Sequence, residues 1–254
     1  MPTENTQQAW ETYRSQELAR IAPILTNLGF NLDAEQPHIA GERFLMHAIT
    51  TTSGRKLVLL GYRVSDNKQV VIKAASDVKG KAELEQARQC REILLEIDTL
   101  QRTIFLPEEI LFTEKDGVLI YIQEFLRQEL PFLEHSLTEQ IQLSLTAFEA
   151  QENISKESLN KFESALGNKT SGEYLSDFQN FKQYLLADFS EYSLLLQESE
   201  RLLLEGQDTI KRYSGFLIHT DFVPHNFRIV GGKIYLLDHA SLRLGNKYEG
   251  WARF

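Results

Sequence analysis

Cysteine is almost absent from this sequence, because Cys90 is the single cysteine among 254 residues. An internal disulfide and a zinc site built from several cysteines are therefore excluded, and the composition suits a reducing compartment. Long apolar runs are also lacking, since no stretch approaches the ~18 residues that a membrane-spanning helix needs. The polar residues 1–6 include no basic patch followed by an apolar run, so no signal peptide is predicted. We expect a soluble cytoplasmic protein.

Basic residues are in short supply, with 27 Lys and Arg against 36 Asp and Glu and a formal net charge of −9. Sequence-independent binding to nucleic acid or to an anionic membrane needs a surplus of Lys and Arg, so neither partner is expected. Hydrophobic residues make up 42% of the chain, which is typical of a globular protein rather than a disordered one. The length fits one large domain or two modest lobes.

The first part of the chain changes from a helical to a strand-like pattern. Residues 7–29 favour a helix with one apolar stripe, and Pro23 predicts a kink or break near Ala22. The members of the stripe are Leu18, Ile21, Leu25 and Leu28.

Short β-rich runs joined by turn residues predict five antiparallel strands, with one helix inserted after the third. The predicted strands are residues 44–50, 56–64, 70–74, 109–113 and 118–122, with a turn at 114–117. The helix covers 79–100, and its apolar stripe consists of Leu84, Ala87, Cys90 or Arg91, Leu94 and Ile97. We expect Cys90 to be a packed core thiol.

The second part of the chain is predicted to be mainly helical over residues 136–213, with breaks at Asn153 and within 167–172. Two strand-like runs, 215–218 and 233–237, then flank a loop. The β-rich part gives way to the helical part near 124–131. We therefore predict an N-terminal helical segment of residues 1–40, a small lobe of 41–126 and a large lobe of 127–254.

The loop between those two runs has the pattern H-x-D-x-x-x-x-N, formed by His219, Asp221 and Asn226. An aspartate in a loop can accept a proton from, or orient, an attacking hydroxyl. Asn226 and Asp238, which ends the second run, can offer oxygens to Mg²⁺, which prefers few protein oxygens plus phosphate oxygens. The simpler alternatives are a turn residue for Asn226 and a helix N-cap for Asp238. We expect His219 to be structural rather than catalytic.

Lys73 lies among apolar neighbours in the third predicted strand and is a candidate phosphate contact. A carboxylate on the following helix would hold it in place, with Glu92 as the first choice and Glu85 as the second. The alternative is a lysine on an edge strand that keeps the sheet soluble.

These residues together resemble the protein-kinase-like superfamily and, within it, the aminoglycoside phosphotransferase and choline kinase group. The catalytic loop of that group, H-G-D-x-x-x-x-N, is matched by His219, Asp221 and Asn226, and its metal-binding aspartate by Asp238. The resemblance covers roughly residues 40–240. It implies a two-lobed α+β fold, in which the small lobe has a five-stranded antiparallel sheet and one helix. The large, mainly helical lobe would carry the catalytic loop and a short β-hairpin.

The resemblance also implies an activity, transfer of the γ-phosphate of ATP, with GTP as the alternative, to a hydroxyl of a small molecule, with Mg²⁺ as the metal. Asp221 would be the catalytic base, and Asn226 and Asp238 would bind the metal. Main-chain groups of the hinge stretch 123–126 would hold the nucleobase. The implied site residues are Lys73, Glu92, Gln123, Phe125, Asp221, Asn226 and Asp238. Aminoglycosides, choline, sugars and amino-alcohols are all compatible acceptors.

Three features depart from the family pattern. Thr220 replaces the arginine of protein kinases and the glycine common in the phosphotransferases, and the loop 50–56 has one glycine instead of several. Only sixteen residues follow Asp238, so we expect a large lobe that is truncated or completed by the helices of 136–213. Two alternatives stay open, a non-catalytic nucleotide-binding module and, less favoured, a protein kinase. The acidic stretch 191–205 is a solvated helix face or the lining of a cationic-substrate pocket.

Overall fold

A computed structural model describes residues 4–36, 55–98, 100–128, 130–158, 162, 166 and 169–253. The chain divides into two compact units. The first consists of Met1–Arg91 and Leu106–Gln128, and the second of Glu92–Phe105 and Glu129–Phe254. The division into segments of 1–40, 41–126 and 127–254 stays a prediction.

In the first unit two helices lie among the strands, and in the second most helices precede most of the strands. The helices are α1 (Glu4–Asn27), α2 (Val78–Leu95), α3 (Leu100–Thr103), α4 (Leu137–Ser158), α5 (Ser171–Asp188), α6 (Ser193–Glu205) and α7 (Gln207–Arg212). The strands are β1 (Phe30–Leu32), β2 (Leu57–Arg63), β3 (Gln69–Ala75), β4 (Ile104–Phe105), β5 (Glu109–Lys115), β6 (Val118–Glu124), β7 (Phe216–His219), β8 (Phe227–Val230), β9 (Lys233–Leu236) and β10 (Leu242–Gly245). No helix in the described part of the chain is long and apolar enough to span a membrane.

The predicted five-stranded antiparallel sheet is confirmed, in the order β1-β2-β3-β6-β5. Its first edge strand is Phe30–Leu32, which the sequence pattern did not indicate, and the predicted strand 44–50 lies outside the described residues. The predicted turn between β5 and β6 is formed by Asp116 and Gly117, with φ of 51° and 74°. Positive φ at both central positions is typical of a type I′ hairpin turn, which Asp-Gly favours.

Helix α1 packs its predicted apolar stripe on one face of this sheet. Ile21 and Leu25 are fully buried, and Leu18 and Leu28 are partly buried against the same cluster. The sheet contributes Leu57, Leu59, Val70, Ile72, Ala74, Val118, Ile120 and Ile122. Alternate residues of a strand point to opposite faces, so the side chains between these positions lie on the other face.

Helix α1 continues through Pro23, so the predicted break near Ala22 is absent. Proline lacks a main-chain donor, which leaves the carbonyl of Ala19 without its helical partner. Ala19 and Pro23 are both exposed, so water can satisfy that carbonyl. The Thr26 hydroxyl also donates to the Ala22 carbonyl at 3.1 Å. A proline on the solvent side is therefore tolerated inside this helix.

Helix α2 follows its predicted stripe but ends at Leu95, before the end of the predicted range, and the short α3 begins at Leu100. The stripe is buried, and the side chain of Cys90 is 0% exposed, which confirms the packed core thiol. Leu84 packs with Ala75 and Leu119 of the sheet. Helix α2 therefore covers the face of the sheet opposite α1.

In the described residues of 136–213, the predicted mainly helical structure is confirmed with one error. Helix α4 passes through Asn153, where a break was predicted. Asparagine costs only about 0.5 kcal/mol in a helix interior, and buried neighbours such as Ala150 and Ile154 pack along the same helix. The other predicted boundary is correct, because α5 begins at Ser171 after a capping box between Thr170 and Glu173.

The predicted strand-like runs near 215–218 and 233–237 are both strands, but they belong to different sheets. Strand β7 pairs antiparallel with β10. Strand β9 forms a hairpin with β8 and also pairs in parallel with β4. The hairpin turn consists of Gly231 and Gly232, with φ of 55° and 73°.

Side chains of α4 bind a main-chain unit of β7. Gln151 Nε2 donates to the Leu217 carbonyl at 3.1 Å, and the Ser158 hydroxyl oxygen accepts from the Leu217 amide at 3.1 Å. Gln151 and Ser158 are seven residues apart, which places them two turns apart on the same side of the helix. Both side chains are buried. Helix α4 thus makes the contacts that a neighbouring strand would otherwise make.

We expect Gln151→Leu to lower the free energy of unfolding by roughly 1–3 kcal/mol, because the buried Leu217 carbonyl loses its donor. Gln142→Leu, at an exposed position of the same helix, is the matched control and should change stability by less than about 0.5 kcal/mol. Urea denaturation followed by circular dichroism measures both. Equal stabilities for the two variants would contradict this account of β7.

Candidate active site

The loop after β7 is held in a tight turn that leads into β8. Val223 is extended, with φ of −128° and ψ of 152°, as residues before proline usually are, and Pro224 opens a single 3₁₀ turn that ends at Asn226. The Asn226 amide donates to the Val223 carbonyl at 2.9 Å, and the Asn226 carbonyl accepts from the Leu237 amide at 2.8 Å. The turn is therefore tied to the chain just before Asp238.

Asp221 and Asn226 are brought together by this turn. Asn226 Nδ2 donates to the main-chain carbonyl of Asp221 at 2.7 Å and to its carboxylate Oδ2 at 2.8 Å. Asn226 is only 4% exposed, whereas Asp221 is half-buried. The amide nitrogen is committed to Asp221, so Oδ1 is the Asn226 atom that can bind a cation.

His219 connects the start of the loop to the residues around Asp238. Its Nε2 lies 3.2 Å from the Leu237 carbonyl and 3.1 Å from the Asp238 carbonyl. Both partners are acceptors, so the contacts assign the proton to Nε2. Burial lowers the pKa of His219, which keeps the imidazole neutral. This geometry fits the structural role expected for His219.

Asp238 has an unusual backbone conformation, with φ of 54° and ψ of 52° in the left-handed region. It occupies the N-cap position of the 3₁₀ turn His239–Ser241, but its side chain does not cap the main chain. Instead, its Oδ2 accepts a hydrogen bond from the Ser241 hydroxyl at 3.2 Å. Backbone strain of this kind is concentrated at functional sites, which favours a functional carboxylate over a simple cap.

Two further histidines lie beside the loop and have different environments. His225 Nε2 is 3.8 Å from Asp221 Oδ2, and its side chain is 63% exposed. His239 is buried, with Nε2 2.9 Å from the Leu236 carbonyl. In the described ranges, no group of three or more His, Cys, Asp or Glu side chains is arranged to hold a metal.

Lys73 lies on the central strand β3, between β2 and β6, so the edge-strand alternative is wrong. It alternates with Ile72 and Ala74, which face α1, and therefore lies on the face that α2 covers. Lys73 Nζ is 6.0 Å from the ring centre of the buried Tyr121, its cross-strand neighbour.

The two candidate partners of Lys73 are both exposed residues of α2. Glu92 belongs to the second unit, whereas Glu85 and Lys73 belong to the first. A third carboxylate of α2, that of Glu83, pairs with Lys56 at 2.8 Å. The pairing of Lys73 with Glu92 or Glu85 stays a prediction.

The predicted hinge begins at the end of β6. The side chain of Gln123 is buried and donates to the Tyr121 hydroxyl at 3.0 Å. The Phe125 amide donates to the Gln69 carbonyl at 3.3 Å. The main-chain groups predicted to bind a nucleobase are the carbonyl of Phe125 and the main chain of Gln123. This role also stays a prediction.

Aromatic packing around the loop was not apparent from the sequence. Phe222 is fully buried and meets the ring of Phe227 edge-on, with 4.9 Å between ring centres. Phe148 of α4 contacts both Phe222 at 6.3 Å and Trp251 at 5.0 Å. A Cβ at position 250 would lie 2.9 Å from the His219 carbonyl oxygen and 3.1 Å from Phe222 Cβ. Gly250 therefore allows residues near 250 to approach the loop.

We expect Gly250→Ala to destabilise the protein by about 1–3 kcal/mol, because the added methyl group meets main-chain atoms that cannot move aside freely. Gly172→Ala is the control, since the first turn of α5 has space for a methyl group. It should be neutral or should stabilise by up to about 1 kcal/mol. Thermal unfolding of both variants measures the difference, and an unaffected Gly250 variant would rule out the close approach.

No protein-family profile matches the chain, and no curated protein sequence matches it either. Solved structures do match. The macrolide 2'-phosphotransferase MphH from Brachybacterium faecium aligns with a TM-score of 0.64 at 12% identity, over 91% of this chain and 74% of that one. A thermostable mutant of the aminoglycoside phosphotransferase APH(4)-Ia aligns with a TM-score of 0.56 at 13% identity, over 78% of this chain and 68% of that one.

The spectinomycin phosphotransferase APH(9)-Ia aligns with a TM-score of 0.53 at 16% identity, over 79% of this chain and 65% of that one. At these identities the likeness shows the fold. The predicted α+β fold is confirmed, because the chain shares the fold of these phosphotransferase structures.

Proposed function

We propose that this protein transfers the γ-phosphate of a nucleoside triphosphate to a hydroxyl of a small molecule. The observation that carries the proposal is the arrangement of the loop after β7, where the side-chain amide of Asn226 binds Asp221 while His219 binds the carbonyl of Asp238. The fold that the chain shares with antibiotic phosphotransferases also supports the proposal.

The related structures support a nucleotide and a small-molecule acceptor as the two substrates. One APH(4)-Ia structure is a ternary complex with ADP and hygromycin B, and another contains AMP-PNP and hygromycin B. The APH(9)-Ia structure contains ADP and spectinomycin. We extend this to ATP, with GTP as a possible substitute, and to a small hydroxyl compound as the acceptor of this chain.

Asp221 would act as the catalytic base, because a half-buried carboxylate fixed by Asn226 can orient the acceptor hydroxyl and take its proton. Lys73 would neutralise phosphate charge, with Glu92 as its proposed partner. Gln123 and Phe125 would contribute main-chain groups to nucleobase binding. In phosphoryl transfer, positioning and charge neutralisation provide most of the catalysis.

Asn226 and Asp238 fit a magnesium ion by their chemistry. An amide oxygen and a carboxylate are the hard oxygen ligands that Mg²⁺ takes alongside phosphate oxygens and water. A cage built from protein side chains alone is not required, which agrees with the lack of a three-residue metal cluster in the described ranges. When bound, the ion would neutralise charge that develops on the phosphates.

The acidic stretch 191–205 does not favour a cationic acceptor. Glu198 and Glu205 both pair with Arg201, and Glu200 pairs with Lys182 at 2.6 Å. These carboxylates therefore carry their own counter-charges, as expected for a solvated helix face rather than the lining of a cationic pocket.

We expect Asp221→Asn to abolish most turnover, with kcat lower by about 10²–10⁴-fold, because the amide cannot accept the hydroxyl proton. Asparagine has nearly the same size as aspartate, so the affinity of the variant for ATP should stay close to that of the wild type. Release of ADP across a panel of hydroxyl compounds measures kcat, and calorimetry measures ATP affinity. Asp188→Asn, at an exposed position of α5, is the control and should match the wild type.

Unchanged kcat in Asp221→Asn would contradict the assignment of the base. A different result concerns the wild type itself. Tight binding of Mg²⁺ and ATP without turnover of any acceptor would favour the non-catalytic nucleotide-binding module. Phosphorylation of generic protein substrates would favour a protein kinase.

We expect Asp238→Asn to weaken magnesium-dependent ATP binding about 10–100-fold, because the site loses a charged ligand. Asparagine tolerates the left-handed backbone, so the substitution separates the charge from the conformation. Asp116→Asn is a matched control, since Asp116 has φ of 51° in the β5–β6 turn. Calorimetric titration of ATP with and without Mg²⁺ measures the effect, and equal magnesium dependence in both variants would count against Asp238 as a ligand.

A further inference from the structure

We propose that Thr220 and Ser241 are positioning residues that hold the proposed base and the proposed metal ligand in a fixed relation. The inference rests on the proposed function, since it assigns a purpose to the geometry between Asp221 and Asp238. It concerns two hydroxyl side chains that take no direct part in the proposed chemistry.

Thr220 binds one carbonyl group twice. Its main-chain amide donates to the Ser241 carbonyl at 2.8 Å, and its hydroxyl Oγ1 donates to the same oxygen at 3.0 Å. The amide contact continues the pairing of β7 with β10, in which His219 lies opposite Leu242. The hydroxyl contact is additional and depends on the identity of the side chain. Asp221 follows Thr220 directly, so this double contact fixes the start of the loop.

Ser241 carries the connection to Asp238. Its hydroxyl donates to Asp238 Oδ2 at 3.2 Å, and its main-chain amide donates to the Asp238 carbonyl at 3.0 Å. The same residue therefore accepts both bonds from Thr220 and directs two donors at Asp238. Of the two carboxylate oxygens of Asp238, the Ser241 hydroxyl contacts Oδ2, which restricts rotation of the carboxylate.

The backbone of Asp238 needs this support because it lies in the left-handed region. Such conformations persist only where surrounding contacts hold them. His219 contacts the carbonyls of Leu237 and Asp238, and Thr220 binds the carbonyl of Ser241, which in turn donates to Asp238. Two consecutive residues, His219 and Thr220, therefore hold Asp238 directly or through Ser241. Loss of the Thr220 hydroxyl should loosen the Asp238 carboxylate without removing it.

The first test compares Thr220→Val with Thr220→Ser. Valine keeps the shape and lacks the hydroxyl, whereas serine keeps the hydroxyl and lacks the methyl group. We expect Thr220→Val to lower kcat and to weaken magnesium-dependent ATP binding by about tenfold each, as is usual for residues that orient a metal ligand. Thr220→Ser should stay within about threefold of the wild type, because the bond to the Ser241 carbonyl is retained.

The second test uses Ser241→Ala, which keeps the carbonyl that Thr220 binds but loses the donor to Asp238. We expect weaker Mg²⁺ dependence of ATP binding, again by about tenfold, with a melting temperature close to that of the wild type. This variant keeps the proposal open to refutation even if Thr220→Val fails to fold. Amide hydrogen exchange of residues 238–241, measured without nucleotide, should be faster in Thr220→Val than in Thr220→Ser.

The outcomes separate the inference from the proposed function. If the wild type binds no magnesium–ATP and has no turnover, the proposed function fails, and the inference fails with it. If the wild type is active but Thr220→Val and Ser241→Ala match it in kcat, in magnesium dependence and in hydrogen exchange, the inference alone is overturned. Equal losses in Thr220→Ser and Thr220→Val would also overturn it, since the hydroxyl would then be irrelevant.

Discussion

The geometry of the candidate site depends on the buried, neutral imidazole of His219. Its Nε2–H lies between the carbonyls of Leu237 and Asp238, and so it connects the end of β7 to the residues after β9. A charged imidazole at this depth would be costly, and the lowered pKa of His219 reflects that cost. The pairing of β7 with β10 reaches these residues only through Ser241, whose carbonyl accepts from the Thr220 amide. The side chain of His219 adds a direct connection to Leu237 and Asp238.

The rest of the second unit supports this connection through side chains that replace main-chain partners. Gln151 of α4 donates to the carbonyl of Leu217, two residues before His219, and Ser158 accepts from the Leu217 amide. Phe222, one residue after Asp221, is buried among aromatic rings. Packing therefore fixes the loop on both sides of Asp221. A short loop of this kind can be rigid without regular secondary structure.

Much of the fold could be predicted from periodicity, because the stripes of α1 and α2 and the runs of β2, β3, β5 and β6 reflect burial on a single face. The errors occur where local propensity and tertiary context disagree. Pro23 and Asn153 disfavour helix, yet buried neighbours keep both helices intact. The three residues of β1 were too few to show a period, and no local pattern indicates that β7 pairs with β10 across the β8–β9 hairpin.

The candidate site was also predicted only in part. Sequence spacing identified Asp221 and Asn226, which one tight turn places in contact, but it could not decide whether Glu85 or Glu92 is the partner of Lys73. These residues lie seven positions apart, two turns along the same side of α2, so the helical period does not distinguish them. The position of Lys73 gives evidence of a different kind. Lys73 is a half-buried lysine on a central strand beside the buried Tyr121, so it does not serve to keep an edge strand soluble. Its position favours a functional lysine independently of the motif.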